Sequence, residues 1–279
     1  MSADTVQERG SVPQYVPVER RTTAGGLLRS EWVKFWSVRS IVVTMAVSFV
    51  VVVALGALLA LAVSSAVGPG APGQVPGLDA TAASLQGAQM ASLIVAAVGA
   101  IVIGGEFSTG MIRTSFTSAP GRLGVLAAKA AVLAVSVAVV TGIAVVLAFV
   151  LGQAILDRED AGASFGDDGV VQALVGNVVM LVGVALAGLG VGALLKNTAA
   201  AICTVLASIF VVPLLLLAVP ESWGGDTIRE YWFVNTTTNL VAVTQQDGYL
   251  APGPGAAVFA VWVLVLLGLG ALATKVRDV

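Results

Sequence analysis

Residues 130–151 read AAVLAVSVAVVTGIAVVLAFVL, an apolar run without a single charge. Crossing about 30 Å of hydrocarbon takes roughly 20 apolar residues, so this run is long enough to span a membrane as one helix. Five more stretches meet or approach that length: about 41–67, 83–105, 170–195, 198–219 and 256–274. No charged residue lies inside these cores. Glu106, Lys129 and Lys196 stand at the edges, where a long side chain can reach up to the interface. Pro213, near the end of the fifth stretch, predicts a kink there. The expected fold is therefore an all-α integral membrane protein with six transmembrane helices.

Composition agrees. Hydrophobic residues make up 57% and charged residues 11% of the chain, and the mean hydropathy is +0.97. A water-soluble domain has about 45–50% apolar and about 25% charged residues, so the surplus apolar surface calls for a lipid solvent. The net charge of -2 gives no reason to expect a nucleic-acid partner. The lone cysteine, Cys203, rules out an internal disulfide framework and reads as a small apolar residue. There is no histidine, which excludes a histidine base or ligand within this chain. Residues 1–26 are polar, hold Pro13, Pro17, Arg20 and Arg21, and read as a disordered cytoplasmic tail rather than a signal peptide.

Charge in the connecting segments sets the orientation. With six spans, Arg9, Arg20, Arg21, Arg29, Lys34, Arg39, Arg113, Arg122, Lys129, Lys196, Lys275 and Arg277 fall on one side, and only Arg158 and Arg229 on the other. The imbalance survives removal of the tail arginines. Positive residues mark the cytoplasmic side, so both termini are expected there. The opposite loops are acidic, with Asp157, Glu159, Asp160, Asp167 and Asp168 between the third and fourth spans. The longest loop, 220–255, carries Tyr231-Trp232-Phe233 and then the polar run from Asn235 to Asn239. It reads either as a plain external loop with an interfacial aromatic anchor or as short re-entrant helices, which protein or water would have to cover.

Two cytoplasmic segments carry more pattern than a connector needs. Residues 27–39, LLRSEWVKFWSVR, place Leu28, Trp32, Phe35, Trp36 and Arg39 at helical spacing, with Arg29, Lys34 and Ser37 on or near the other side. This fits an amphipathic helix in the inner interface, and equally a simple extension of the first span. Residues 104–129, GGEFSTGMIRTSFTSAPGRLGVLAAK, place an apolar patch of Met111, Ile112 and Phe116 beside Arg113, with Pro120-Gly121 breaking the helix before Arg122. An exposed apolar patch on a cytoplasmic loop reads as a docking surface, and the plainer reading is a topology-setting connector. In the fourth span, Gly188 to Gly192 forms a G-x-x-x-G that suits close helix approach, either at a dimer seam or within one protomer. Asn177, Thr141 and Ser136 could line a polar path or satisfy neighbouring backbone.

The pattern formed by Glu106, Gly110, Ile112, Arg113, Pro120, Arg122 and Lys129 resembles the ABC-2 type family of ABC-transporter permeases. The stretch LLRSEWVKFWSVRS looks like the connecting helix of actinobacterial members, and with the six-span layout the resemblance covers residues 27–279. It implies a permease domain, in a bacterial plasma membrane, that pairs with a separate ATP-binding cassette subunit and with a second permease copy. Export is the implied direction. Glu106, Gly110, Met111, Ile112, Arg113, Phe116, Pro120 and Arg122 would form the surface that receives the ATPase stroke. Leu28, Trp32, Phe35, Trp36 and Arg39 would belong to the connecting helix. The chain would be no enzyme and hold no cofactor or metal, ATP and magnesium residing in the partner.

The residues support an external energy source independently. The sequence has no G-x-x-x-x-G-K-[ST] phosphate loop. Ion-coupled carriers place ionisable groups within their spans, and none falls in the expected cores. A membrane sensor or self-protection component working with the same ATPase is the alternative. The substrate is not legible.

Overall fold

The computed structural model describes residues 23–67, 80–108, 122–157 and 162–276. Among them every regular element is helical. Helix α1 spans Ala24–Ser37, α2 Arg39–Val67, α3 Ala80–Ser108, α4 Arg122–Leu156 and α5 Val170–Leu195. Next comes α6, Thr198–Leu206, a π-turn at Ala207–Val211, and α7, Val212–Leu216. Short turns follow: a 3-10 turn Glu221–Trp223, α8 Gly225–Glu230, a 3-10 turn Asn235–Thr237 and α9 Thr238–Val241. Helix α10, Pro252–Val276, closes the described chain.

Six helices are long and apolar enough to cross a membrane: Arg39–Ala66, Thr81–Phe107, Leu123–Leu156, Val170–Leu195, Thr198–Leu216 and Pro252–Lys275. The architecture is that of a multi-pass membrane protein. Large apolar side chains such as Phe210, Leu214, Leu215 and Leu264 lie exposed on its outside, as lipid-facing residues do. Helix α5 forms the middle of the bundle, with 67% of its apolar window buried, against 11% for Thr198–Leu216 at the periphery.

Close approach between α3 and α5 holds the centre together. A side-chain carbon added at Gly188 would strike the Ala96 carbonyl oxygen, and one at Gly192 would come within 2.6 Å of Ile103 Cγ2. The G-x-x-x-G is thus a seam inside one protomer. At Gly188 the backbones themselves approach, at Gly192 the Ile103 side chain fills the space, and dispersion contacts accumulate along the interface.

The expected spans differ from the helices mainly at their ends. Helix α4 begins at Arg122, two turns before the expected start near residue 130, which puts Lys129 inside the helix. Helix α1 ends at Ser37, Val38 is extended, and α2 starts at Arg39. The N-terminal stretch is therefore a helix of its own, not a continuation of the first span. It begins at Ala24, inside the stretch expected to be tail, and residues 1–22 lie outside the described residues.

Pro213 acts one turn before its own position. Its missing N–H and its ring disfavour a regular helix through the preceding turn, and the chain answers with the π-turn at Ala207–Val211. The Val212 N–H bonds to the Ala207 oxygen. Pro213 has no N–H to offer Ser208, and the Trp232 indole N–H donates to the Ser208 oxygen instead at 2.9 Å. This bond ties the long loop to the fifth span.

The loop is folded into the bundle end rather than hung on it. Phe233 is buried and stacks on Phe259 of α10, at 5.2 Å between ring centroids. The Trp262 indole donates to the Tyr231 oxygen at 3.0 Å, and Asn177 Nδ2 donates to the Val241 oxygen at 3.3 Å. The aromatic triplet is therefore mostly a packing element: Phe233 and Trp232 turn inward, and only Tyr231 keeps the exposure an anchor would have.

Candidate functional site

Four charged side chains from three helices meet where α1, the end of α3 and the start of α4 converge. In α1, Glu31 and Phe35 lie one turn apart on the buried face, at 4% and 3% exposure. That spacing puts them on one stripe of the helix. Helix α3 brings Glu106 and α4 brings Lys129, both buried.

Lys129 Nζ donates to Glu31 Oε2 at 2.6 Å and to Glu106 Oε1 at 3.0 Å. Lys34 Nζ donates to Glu31 Oε1 at 2.8 Å and to Glu106 Oε1 at 3.3 Å. Two carboxylates and two ammoniums thus form a closed square. Burial opposes ionisation of Glu31, but the Lys129 charge, together with hydrogen bonds from Lys129 and Lys34, holds its pKa below the ordinary 4.5. Burial likewise opposes the charge on Lys34, and Glu31 and Glu106 outweigh it, raising its pKa above 10.5. Three of the four carboxylate oxygens are bonded. Glu106 Oε2 is buried and has no partner among the described residues.

This arrangement corrects two sequence expectations. Lys129 does not snorkel from an edge: it is enclosed by protein, because two carboxylates make burial cheaper than stretching to water. The aromatic face of the N-terminal helix is also split. Leu28, Trp32 and Trp36 are exposed, while Phe35 points into the bundle. Trp36 leans on Phe35 at 5.5 Å and on Trp32 at 6.1 Å between ring centroids. Arg39 belongs to α2 and is exposed. Glu31, overlooked in the sequence, is the residue that pins α1 to the spans.

Of the residues expected at the coupling surface, Glu106 is in the square and Arg122 opens α4. Gly110, Met111, Ile112, Arg113, Phe116 and Pro120 lie outside the described residues. Lys196 caps α5 in a left-handed conformation, with φ 53°, and sits 5.8 Å from the Phe107 ring, next to Glu106 in sequence. Cations therefore gather at this end of the bundle.

No family model matches the chain. No curated protein matches it either.

At the opposite end a cavity of about 400 Å³ opens between α3, α5, the π-turn and α9. Its lining includes Gln86, Gln89, Ser92, Asn177, Thr237 and Gln246 and, among the described residues, no charged side chain. Asn177 lines this cavity and also donates to backbone at Ala173 and Val241. Thr141 instead satisfies the Val137 oxygen of its own helix. Gln86 and Gln89 were missed, although two amides one turn apart in an apolar helix are a readable signal. Among the described residues no group of His, Cys, Asp and Glu could hold a metal ion.

Proposed function

We propose that the chain is the membrane-spanning permease subunit of an ATP-driven exporter in a bacterial plasma membrane. A separate ATP-binding subunit supplies the energy, and a second permease copy, identical or related, completes the assembly. Both termini lie in the cytoplasm, and α1 rests in the inner interface with Leu28, Trp32 and Trp36 toward lipid.

The observation that carries this reading is the buried charge square. It bonds a peripheral helix to the end of one span and the start of the next. Those two spans flank residues 109–121, where Gly110 to Pro120 of the expected docking surface lie. A force applied at α1 or at that connector reaches α3 and α4 together, since separating any member leaves an uncompensated buried charge. A connector that only set topology would need no such linkage. The uncharged cavity at the far end offers cargo hydrogen-bonding groups without an ion to couple to.

The test uses vesicles carrying this chain with its ATP-binding subunit. A Glu106→Ala, Arg122→Ala double variant should insert normally and allow ATP hydrolysis while cargo flux falls at least about tenfold, the scale of a single charge-assisted contact, of which Glu106 makes two. Normal ATP-driven flux in that variant would sink the reading.

A further inference from the structure

The fifth span parts from α3 part-way across the bundle. Helix α6 packs on both α3 and α5, whereas α7, beyond the π-turn, packs on α8 of the long loop. At the end nearer the charge square the fit is tight, and a side-chain carbon added at Gly104 would strike Thr198. The cavity of about 400 Å³ lies where the two helices separate. Gln86 and Met90 of α3 and Phe210 of the π-turn line it and are exposed, so it opens sideways between them. Deeper in, Ser92, Asn177 and Thr237 line it, each at most 2% exposed. All three have spent their hydrogens on backbone. The Ser92 hydroxyl donates to the Gln89 oxygen at 2.6 Å and the Thr237 hydroxyl to the Val234 oxygen at 2.7 Å. Asn177 Nδ2 has two hydrogens, and they go to the Ala173 and Val241 oxygens. What these buried groups have left for the cavity is lone pairs. Asn177 Oδ1 takes no hydrogen bond among the described residues, and it is not sealed in protein as Glu106 Oε2 is.

We infer that this cavity binds the head of an uncharged amphiphile that donates hydrogen bonds, while its apolar chain leaves sideways between α3 and the π-turn. The buried groups only accept, so the head must bring O–H or N–H; a head made of acceptors would leave both sides unpaired. A charged head would find no counter-charge, since no described lining residue is charged. Arg229, the one described cation at this end, does not line the cavity and is bonded to Asp226 and to the Leu216 oxygen. The chain meets Met90, Leu93, Ile209 and Phe210 on its way to the hydrocarbon. At the mouth the exposed amides of Gln86 and Gln246 offer donors as well as acceptors, and so answer any acceptors the head also carries. The volume falls within the roughly 300–1,000 Å³ of small-ligand sites. Binding needs only that the chain spans a bilayer; that the bound amphiphile is also cargo rests on the transport reading.

The test uses the purified full-length chain in phosphatidylcholine nanodiscs doped equally with four single-chain probes of the same chain length: monolauroylglycerol, its dimethyl ether, laurate and dodecylammonium. Retained probe is read by native mass spectrometry. Monolauroylglycerol should be retained roughly tenfold over its dimethyl ether, which has lost both donors, and over the two charged probes. Ser92→Ala with Thr237→Val removes two of the three buried acceptors and should cut that preference by about threefold or more. Leu93→Trp, which fills the cavity from a partly buried position and keeps every polar group, should lower retention of monolauroylglycerol and decides the matter if the double variant does not fold. Equal retention of the glycerol probe and its ether, stronger retention of either charged probe, or a preference unchanged in both variants would overturn the site. The readout uses no ATP and no partner. Retention without ATP-driven flux of the same probe would therefore remove the transport reading alone, and ATP-driven flux of other cargo without the donor preference would remove this site alone.

Discussion

Lys129 lies two turns inside α4 with 4% of its surface exposed, and carboxylates from two other helices hold its ammonium. An ammonium stranded at membrane depth costs about 2.5–3.5 kcal/mol on insertion scales, so the residue is tolerated only with its partners in place. Removing it would leave Glu31 and Glu106 to share Lys34. Breaking a buried pair from one side costs about 3–5 kcal/mol. Lys129→Met should therefore lower stability by that amount, seen as a clear drop in the thermal unfolding midpoint in detergent, and adding Glu31→Gln should recover part of it. An unchanged midpoint in the single variant would mean that the square is not a stabilising unit. Glu106 and Lys129 were legible in the sequence as charges beside apolar runs. Glu31 was not, because the tryptophans dominate the helical pattern of residues 27–39 and drew the buried face toward themselves. The available signal was Glu31 one turn before Phe35 and three residues before Lys34, a carboxylate on the same stripe as an aromatic.

The six long helices were readable because each needs only length and apolarity, which composition carries directly. Their ends were not, since a helix end depends on what its polar residues find in space. Helix α4 extends back to Arg122, and Lys129 within it has partners on α1 and α3 that no local pattern announces. The π-turn was foreshadowed only by Pro213, and its stabilising partner Trp232 lies 24 residues away. The seam between α3 and α5 is a feature of paired elements, and it yields a contrast within one residue type. A methyl group at Gly188 meets the Ala96 carbonyl, whereas one at Gly268 of α10 meets nothing within 4 Å. Gly188→Ala should destabilise by about 1–3 kcal/mol through overpacking. Gly268→Ala should be neutral or stabilising by up to about 1 kcal/mol, because alanine is the better helix former. Equal unfolding midpoints for the two variants would show that α3 and α5 do not approach as closely as described.

Across the whole molecule the two ends differ in charge. Arg29, Lys34, Arg39, Lys129, Lys196 and Lys275 collect at the end that holds the square, while Asp157, Asp167, Asp168, Glu221, Asp226 and Asp247 lie at the other. The proposed orientation in a cell rests on the same asymmetry. In a Cys203→Ser background, Asp247→Cys should react with a membrane-impermeant maleimide on intact cells, and Ser37→Cys only after permeabilisation. Both positions are exposed, so the reverse pattern would invert the topology. The square itself has a consequence for electrical work. Its four charges cancel, so the square itself carries no net charge through the transmembrane field when it moves. A potential that does about 2.3 kcal/mol of work on each elementary charge per 100 mV therefore neither drives nor resists the square's own movement. A stroke delivered there would feel the membrane potential only through the cations that ride beside the square, such as Arg29 of α1 and Arg122 of α4.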